Sequence, residues 1–206
     1  MLNVYGCPHT RSYRVIWALE EAGAVYDYHK IDLMAGAGRD PAYLALNPGG
    51  KVPTLVDGDL ILTESAAICT YIGDRFPASG LTPPVGSPER AHYDQWCFFI
   101  MSELEQPLWT ITKHRFALPE KRRVPAVIET AQWEWGVAAK ILASGLAERE
   151  FLVGGRFTAA DILAAHTLAW ARAFKMPLDQ GGLDAYADRL LARPVAARAA
   201  AREKNG

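Results

Sequence analysis

The chain has 206 residues and a formal net charge of -1, with 50% hydrophobic and 22% charged residues. This is ordinary globular composition, long enough for one large domain or two small ones and rich enough in apolar residues to build a core without a disulfide or metal staple. The near-neutral charge excludes the basic surface expected of a protein that binds nucleic acid or an anionic membrane.

Leu2 to Tyr5 is a short apolar strand, broken by Gly6, Pro8 and Thr10. Arg11 to Gly23 follows helical spacing, with Val15, Ile16, Leu19 and Ala22 on one face. Val25 to Ile31 is a second strand, and Asp40 to Leu46 a short helix ended by Asn47-Pro48-Gly49-Gly50. Thr54 to Val56 and Leu60 to Leu62 flank Asp57-Gly58, a hairpin signal. Ser65 to Phe76 is helical, with Ala67, Ile68, Tyr71 and Ile72 as its apolar stripe. The order βαβ, helix, ββ, helix predicts a small mixed sheet. Its first two strands should be parallel and joined by a right-handed crossover.

Residues 78–88 form a linker, since Pro77 to Pro88 carries Pro83, Pro84, Gly80 and Gly86. Every later segment is helical in period. Tyr93, Trp96 or Cys97, Ile100, Leu104 and Leu108 recur at three or four residues, and Pro107 should kink or end that helix. A second helix runs from about Glu120 to Ala143, a third begins at Thr158, and shorter ones follow near Leu183 and Pro194. Thr158-Ala159-Ala160-Asp161 is a capping box with Asp in place of Glu, and Phe157 and Ile162 are placed for a hydrophobic staple. The short basic run of Arg193, Arg198, Arg202 and Lys204 reads as a solvated helix end.

The three cysteines, Cys7, Cys69 and Cys97, are odd in number, and their spacing fits no zinc site. They point to a reducing cytoplasm. The first residues lack the layout of a signal peptide, and no apolar run approaches the roughly 18 residues of a membrane span. His92, His114 and His166 show no paired spacing, so no metal is expected, and Cys69 and Cys97 fall at core positions of helices.

Two constellations carry chemistry. In Lys51-Val52-Pro53-Thr54-Leu55, a proline stands directly before a strand. With a cis Val52–Pro53 bond, the backbone N–H and C=O of Val52 would face outward and pair with an extended peptide, as an added strand does. An ordinary trans turn is the alternative. In Glu64-Ser65, at the head of the helix after the hairpin, free N–H groups and the positive helix end suit a carboxylate, while Glu64 suits an ammonium group. Together they would hold a zwitterionic amino-acid head, and a plain helix cap is the alternative.

These patterns lie 11 residues apart on either side of the hairpin. The segment from Asn47 to Asp74 resembles the glutathione-site segment of cytosolic glutathione transferases, and the resemblance runs over nearly the whole chain. It implies an α/β thioredoxin-like domain over residues 1–77 and an all-α helical bundle over 89–206. It implies that Pro53 is cis, that the backbone of Val52 pairs with the cysteinyl unit of glutathione, that Glu64 and Ser65 take its γ-glutamyl head, and that Lys51 contacts its glycine carboxylate. It also implies a cytoplasmic homodimer and an enzyme of detoxification. Its electrophile should bind between the two domains, with Trp109, Thr112, Lys113 and Phe116 as candidates for the apolar wall. Plain helix packing is the competing role for these four.

The residue that activates sulfur should lie in Tyr5-Gly6-Cys7-Pro8-His9-Thr10-Arg11-Ser12. Thr10 stands four residues before Arg14-Val15, where similar transferases carry a serine, and its hydroxyl would stabilise the glutathione thiolate. Ser12 is a nearby substitute. Cys7-Pro8-His9-Thr10 is also similar to the Cys-Pro-x-Cys of glutaredoxins, which would make Cys7 a nucleophile for disulfide or peroxide reduction. A glutathione-fold protein that binds without catalysing is the third possibility.

Overall fold

The computed structural model describes residues 1–205. They form two compact units, one of residues 1–82 with Leu191 onward and the other of residues 83–190. Among the described residues, no helix is long and apolar enough to cross a membrane.

The first unit is built on a four-stranded sheet in the order β2-β1-β3-β4. Its strands are β1 (Leu2–Gly6), β2 (Tyr26–Lys30), β3 (Thr54–Asp57) and β4 (Leu60–Thr63). β1 runs parallel to β2 and antiparallel to β3, which pairs antiparallel with β4. This is the small mixed sheet that the βαβ and hairpin signals imply, in the thioredoxin-like arrangement that the resemblance implies. Its helices are α1 (Ser12–Glu21), α2 (Pro41–Leu46) and α3 (Ser65–Arg75).

Leu2, Val4 and Leu55 line the sheet's inner face, and Val15, Ile16, Trp17, Ala18 and Leu19 of α1 are wholly buried. The buried row of α3 is Ile68, Cys69 and Ile72. The stripe read from the sequence is therefore offset: Ala67 is exposed and Tyr71 half-buried. Leu60 pairs with Asp57, so the tight turn is Gly58-Asp59, one residue later than the hairpin signal suggests.

The second unit is helical: α4 (Pro88–Phe99), α5 (Glu105–Thr112), α6 (Val127–Leu146), α7 (Ala159–Ala173) and α8 (Leu183–Leu191). The helix expected to break at Pro107 opens earlier, as a π-turn over Ile100–Leu104 between α4 and α5. Proline lacks the N–H for an i→i−4 bond and its ring presses on the carbonyl of residue i−4, here Glu103. A widened turn around that carbonyl accommodates both effects. α6 begins later than its periodicity suggests, because Pro125 precedes it and residues 120–122 form only a 3-10 turn.

The final helix, α9 (Pro194–Asn205), packs on α1 in the first unit. Its basic residues are not all solvated. Arg193 forms a two-pronged pair with Glu21 at 3.0 and 3.1 Å, and the Arg202 guanidinium lies 5.5 Å over the Tyr26 ring. Both find partners because α9 lies along the first unit and does not project into water.

Candidate active site

Strand register brings the candidate segments together. Tyr5 pairs with Thr54, and Thr54 pairs with Thr63. One end of the sheet therefore carries three segments: the loop leaving β1 at Cys7, the Val52–Pro53 segment entering β3, and the Glu64–Ser65 segment leaving β4.

The segment before β3 is shaped by its neighbours. Asn47 Nδ2 donates to the Lys51 carbonyl at 2.7 Å and to Thr54 Oγ1 at 3.2 Å, and Tyr43 donates to the same Lys51 carbonyl at 2.6 Å. Gly50 has a φ of 60°, and a Cβ there would come within 2.5 Å of the Gly38 carbonyl, so only glycine lets the two loops pass. The Val52–Pro53 bond is cis. Val52 and Pro53 are buried and Lys51 is exposed. Among the described residues, the backbone of Val52 makes no hydrogen bond.

At the head of α3, Glu64 occupies the cap position and Ser65 is the first helical residue. The helix thus starts at Ser65, where its periodicity places it, and the cap position falls to Glu64. Glu64 adopts φ 68° and ψ 111°, a conformation that side-chain-bearing residues rarely take, and its side chain makes no cap bond. Ser65 is buried, and its Oγ accepts from Arg14 Nη1 at 3.3 Å. Arg14 has no exposed surface. No local pattern reveals this support, because Arg14 sits on α1, 51 residues away.

The loop from Cys7 to Ser12 is closed on itself. The Thr10 hydroxyl donates to the Cys7 carbonyl at 2.6 Å and lies 2.9 Å from Ser12 Oγ. Ser12 Oγ accepts from the Cys7 N–H at 3.2 Å, and the Ser12 N–H donates to Thr10 Oγ1 at 3.2 Å. Ser12 has no exposed surface, whereas Cys7 and Thr10 are half-buried. Of the three free cysteines, Cys69 and Cys97 are buried, and burial pushes the Cys97 thiol up to about 12.

One charged group behind this loop escaped sequence reasoning. Glu203, on α9, is only 5% exposed, and its Oε2 accepts from the His9 N–H at 3.4 Å. His9 has φ 61°. Burial raises the Glu203 carboxyl to about 7. Tyr13, whose hydroxyl donates to the Ala196 carbonyl, is raised to about 12, chiefly by burial and then by the Glu203 charge. The Tyr28 hydroxyl is raised for the same two reasons and further by Cys7.

The electrophile-site candidates lie in the helical unit. Trp109 and Lys113 are half-buried. Thr112 is buried, and its hydroxyl donates to the Leu108 carbonyl at 2.8 Å. Phe116 is exposed and packs edge-on against Phe174. Among the described residues, no group of three or more His, Cys, Asp or Glu side chains is placed to hold a metal ion.

The sheet order and the three segments gathered at its end define the thioredoxin-like half of a two-part protein, and the second unit is helical. The chain matches the family model for the N-terminal domain of glutathione S-transferase over residues 1–74 and the model for its C-terminal domain over residues 105–194. It is 34% identical to glutathione S-transferase 2 of Anopheles gambiae over 177 residues, covering 83% of this chain and 80% of that protein. The solved sphingomonad glutathione S-transferase complexed with glutathione superposes with a TM-score of 0.86 at 30% identity, covering 99% of this chain and 100% of that one. The theta class enzyme of Xanthomonas axonopodis pv. citri, solved with glutathione bound, superposes with a TM-score of 0.79 at 33% identity over 97% and 96% of the two chains. The chain belongs to the glutathione S-transferase family and is a transferase enzyme.

Proposed function

We propose that the chain binds glutathione at the gathered end of the sheet and transfers it to an electrophile through the sulfur. The observation that carries this reading is the register Tyr5–Thr54–Thr63, which sets a backbone edge, a helix N-terminus and a hydroxyl-bearing loop side by side. Glutathione is the co-substrate. Its cysteinyl unit pairs with the free N–H and C=O of Val52, and its glycine carboxylate faces Lys51. Its γ-glutamyl carboxylate takes the Ser65 hydroxyl and the first N–H groups of α3, with Glu64 beside the ammonium. The uncommon backbone of Glu64 supports this assignment, since such conformations cluster at binding sites.

Isothermal titration tests it directly. Ser65→Ala removes one hydroxyl contact to a carboxylate and should weaken glutathione binding roughly tenfold. Unchanged affinity in a folded variant would remove Ser65 from the site.

The catalytic group is the Thr10 hydroxyl, rotated from the Cys7 carbonyl onto the thiolate. Lowering a thiol pKa by two units requires about 2.7 kcal/mol of preference for the anion, within reach of one hydroxyl and the α1 N-terminus. Ser12, wholly buried, serves as the loop's anchor. Trp109, Thr112, Lys113 and Phe116 remain the candidates for holding the electrophile. Thr10→Ala should shift the rise of conjugation rate to higher pH, measured against an aryl halide.

A second reading follows from the Thr10 hydrogen already being donated to the Cys7 carbonyl, and from Cys7 being the least buried cysteine. In it the Cys7 thiolate attacks a glutathionyl disulfide, releases the other thiol, and is freed by a second glutathione. Cys7→Ala alone abolishing disulfide turnover would favour that chemistry; intact turnover would remove it. Retention on immobilised glutathione without turnover of any electrophile or disulfide would instead favour a binding protein.

A cytoplasmic homodimer serving detoxification completes the proposal. Three free thiols suit a reducing compartment, and exposed Phe98, Trp133 and Ile141 offer apolar surface for a partner copy. Sedimentation should report twice the chain mass.

A further inference from the structure

We propose that Glu203 is a positioning residue for the reactive loop, its carboxylate holding the His9 N–H and so fixing Cys7 to Ser12 against the head of α1; this rests on the glutathione reading above. Four observations converge on it. His9, a residue with a side chain, sits at φ 61°, a conformation the loop must be made to keep. Its backbone N–H donates across the unit to Glu203 Oε2, 194 residues away. Glu203 is buried, yet its Oε1 has no partner among the described residues. The Tyr28 hydroxyl is also buried and without a partner among the described residues.

Burying a carboxyl with half its hydrogen-bonding capacity unused is unfavourable, so packing alone gives no reason for glutamate here. A grip on the loop does. Tyr13 of α1 and Tyr28 of β2 are the titratable groups around this carboxyl, with Cys7 beside Tyr28 and the His9 ring on the gripped residue. Neither phenol ionises near neutral pH, both being raised. Arg202, the neighbouring cation on α9, is turned onto the Tyr26 ring. Lys204 is exposed, and among the described residues burial and the His9 N–H are what set the ionisation of Glu203. As the pH rises through its transition, the carboxyl becomes a carboxylate and its bond to the His9 N–H becomes charge-assisted. The loop is gripped more firmly in alkaline solution than in acid.

Glu203→Gln keeps the size and one acceptor but loses the charge. Compared well above the transition of about 7, it should lower kcat for conjugation roughly five- to tenfold while leaving KM for glutathione within about twofold, because the peptide's own contacts lie at Val52 and Ser65. Well below the transition, the variant and the parent enzyme should converge. Glu203→Asp, which restores charge, should recover part of the loss. Two readouts need no glutathione: the His9 amide resonance and the rate of Cys7 alkylation by iodoacetamide. Each should show an inflection near 7 in the parent enzyme that vanishes in Glu203→Gln. A His9 resonance and alkylation profile unchanged by the substitution would overturn the proposal, as would a kcat loss equal at both pH values and matched by a lowered Tm. A parent enzyme that shows both inflections but neither binds nor turns over glutathione would overturn the functional reading and leave the Glu203 grip standing.

Discussion

Glu203 also has a thermodynamic signature that can be read without any substrate. Its folded-state carboxyl is raised to about 7, above the ordinary glutamate value of 4.5. Between these values the folded protein binds a proton that the unfolded chain has released, so stability falls as the pH rises through that window and levels off above it. Urea titrations of Glu203→Gln should show a flatter dependence of stability on pH in this window than the parent protein; an identical slope would assign the proton to another group. The catalytic and binding candidates rest on short local patterns, which a sequence displays directly: a proline before a strand, a serine after a hairpin, a hydroxyl at a helix head. Arg14 and Glu203 were not legible. Each acts across a long sequence separation, and a lone arginine in an apolar helix or a lone glutamate in a basic tail reads as a solvated charge until packing surrounds it.

The helical elements show both the strength and the limit of periodicity. The capping box at Thr158 was legible because its partners lie within four residues. Asp161 Oδ2 accepts from the Thr158 N–H at 2.8 Å, and its Oδ1 accepts from the Leu152 N–H at 3.0 Å and from the Tyr186 hydroxyl at 2.7 Å. The last two contacts make this carboxylate a knot between α7, α8 and the preceding loop, which no local pattern reveals. Burial raises its pKa despite these bonds. Asp161→Ala leaves several buried donors unmatched and should cost about 3–5 kcal/mol, measured by urea unfolding. Two glycines of α6 make a sharper comparison. A Cβ at Gly136 would meet nothing within 4 Å, whereas one at Gly145 would lie 2.0 Å from the Trp96 ring. Gly136→Ala should therefore stabilise by up to about 1 kcal/mol through helix propensity alone. Gly145→Ala should destabilise by about 1–3 kcal/mol, because the rigid indole must move. Thermal melts of the pair should shift in opposite directions. A common upward shift would show that Trp96 relaxes at little cost.

At the scale of the whole molecule, the order of elements carried most of the information. A βαβ segment followed by a hairpin leaves few ways to build a four-stranded sheet, and the observed order β2-β1-β3-β4 is one of them. The sequence changes from a mixed to a purely helical pattern after Pro77, and the second unit runs from Pro83 to Leu190. The return of α9 to the first unit was hidden, because helical periodicity says nothing about which body a helix packs against. Tyr13 bonds to the Ala196 carbonyl and Glu21 to Arg193, so removal of residues 193–206 should lower the melting temperature of the first unit specifically. Near-ultraviolet dichroism of Trp17 and the tyrosines around it would report that loss.

During synthesis, α9 leaves the ribosome on the order of 10–40 s after β1, at ordinary rates of elongation. For that interval the outer side of α1 stands without its cover and the loop before it without its grip. The nascent chain can form its sheet early, but the loop from Cys7 to Ser12 must wait for α9. Substitutions in α9 would then reduce yield in the cell more than their effect on the purified enzyme suggests.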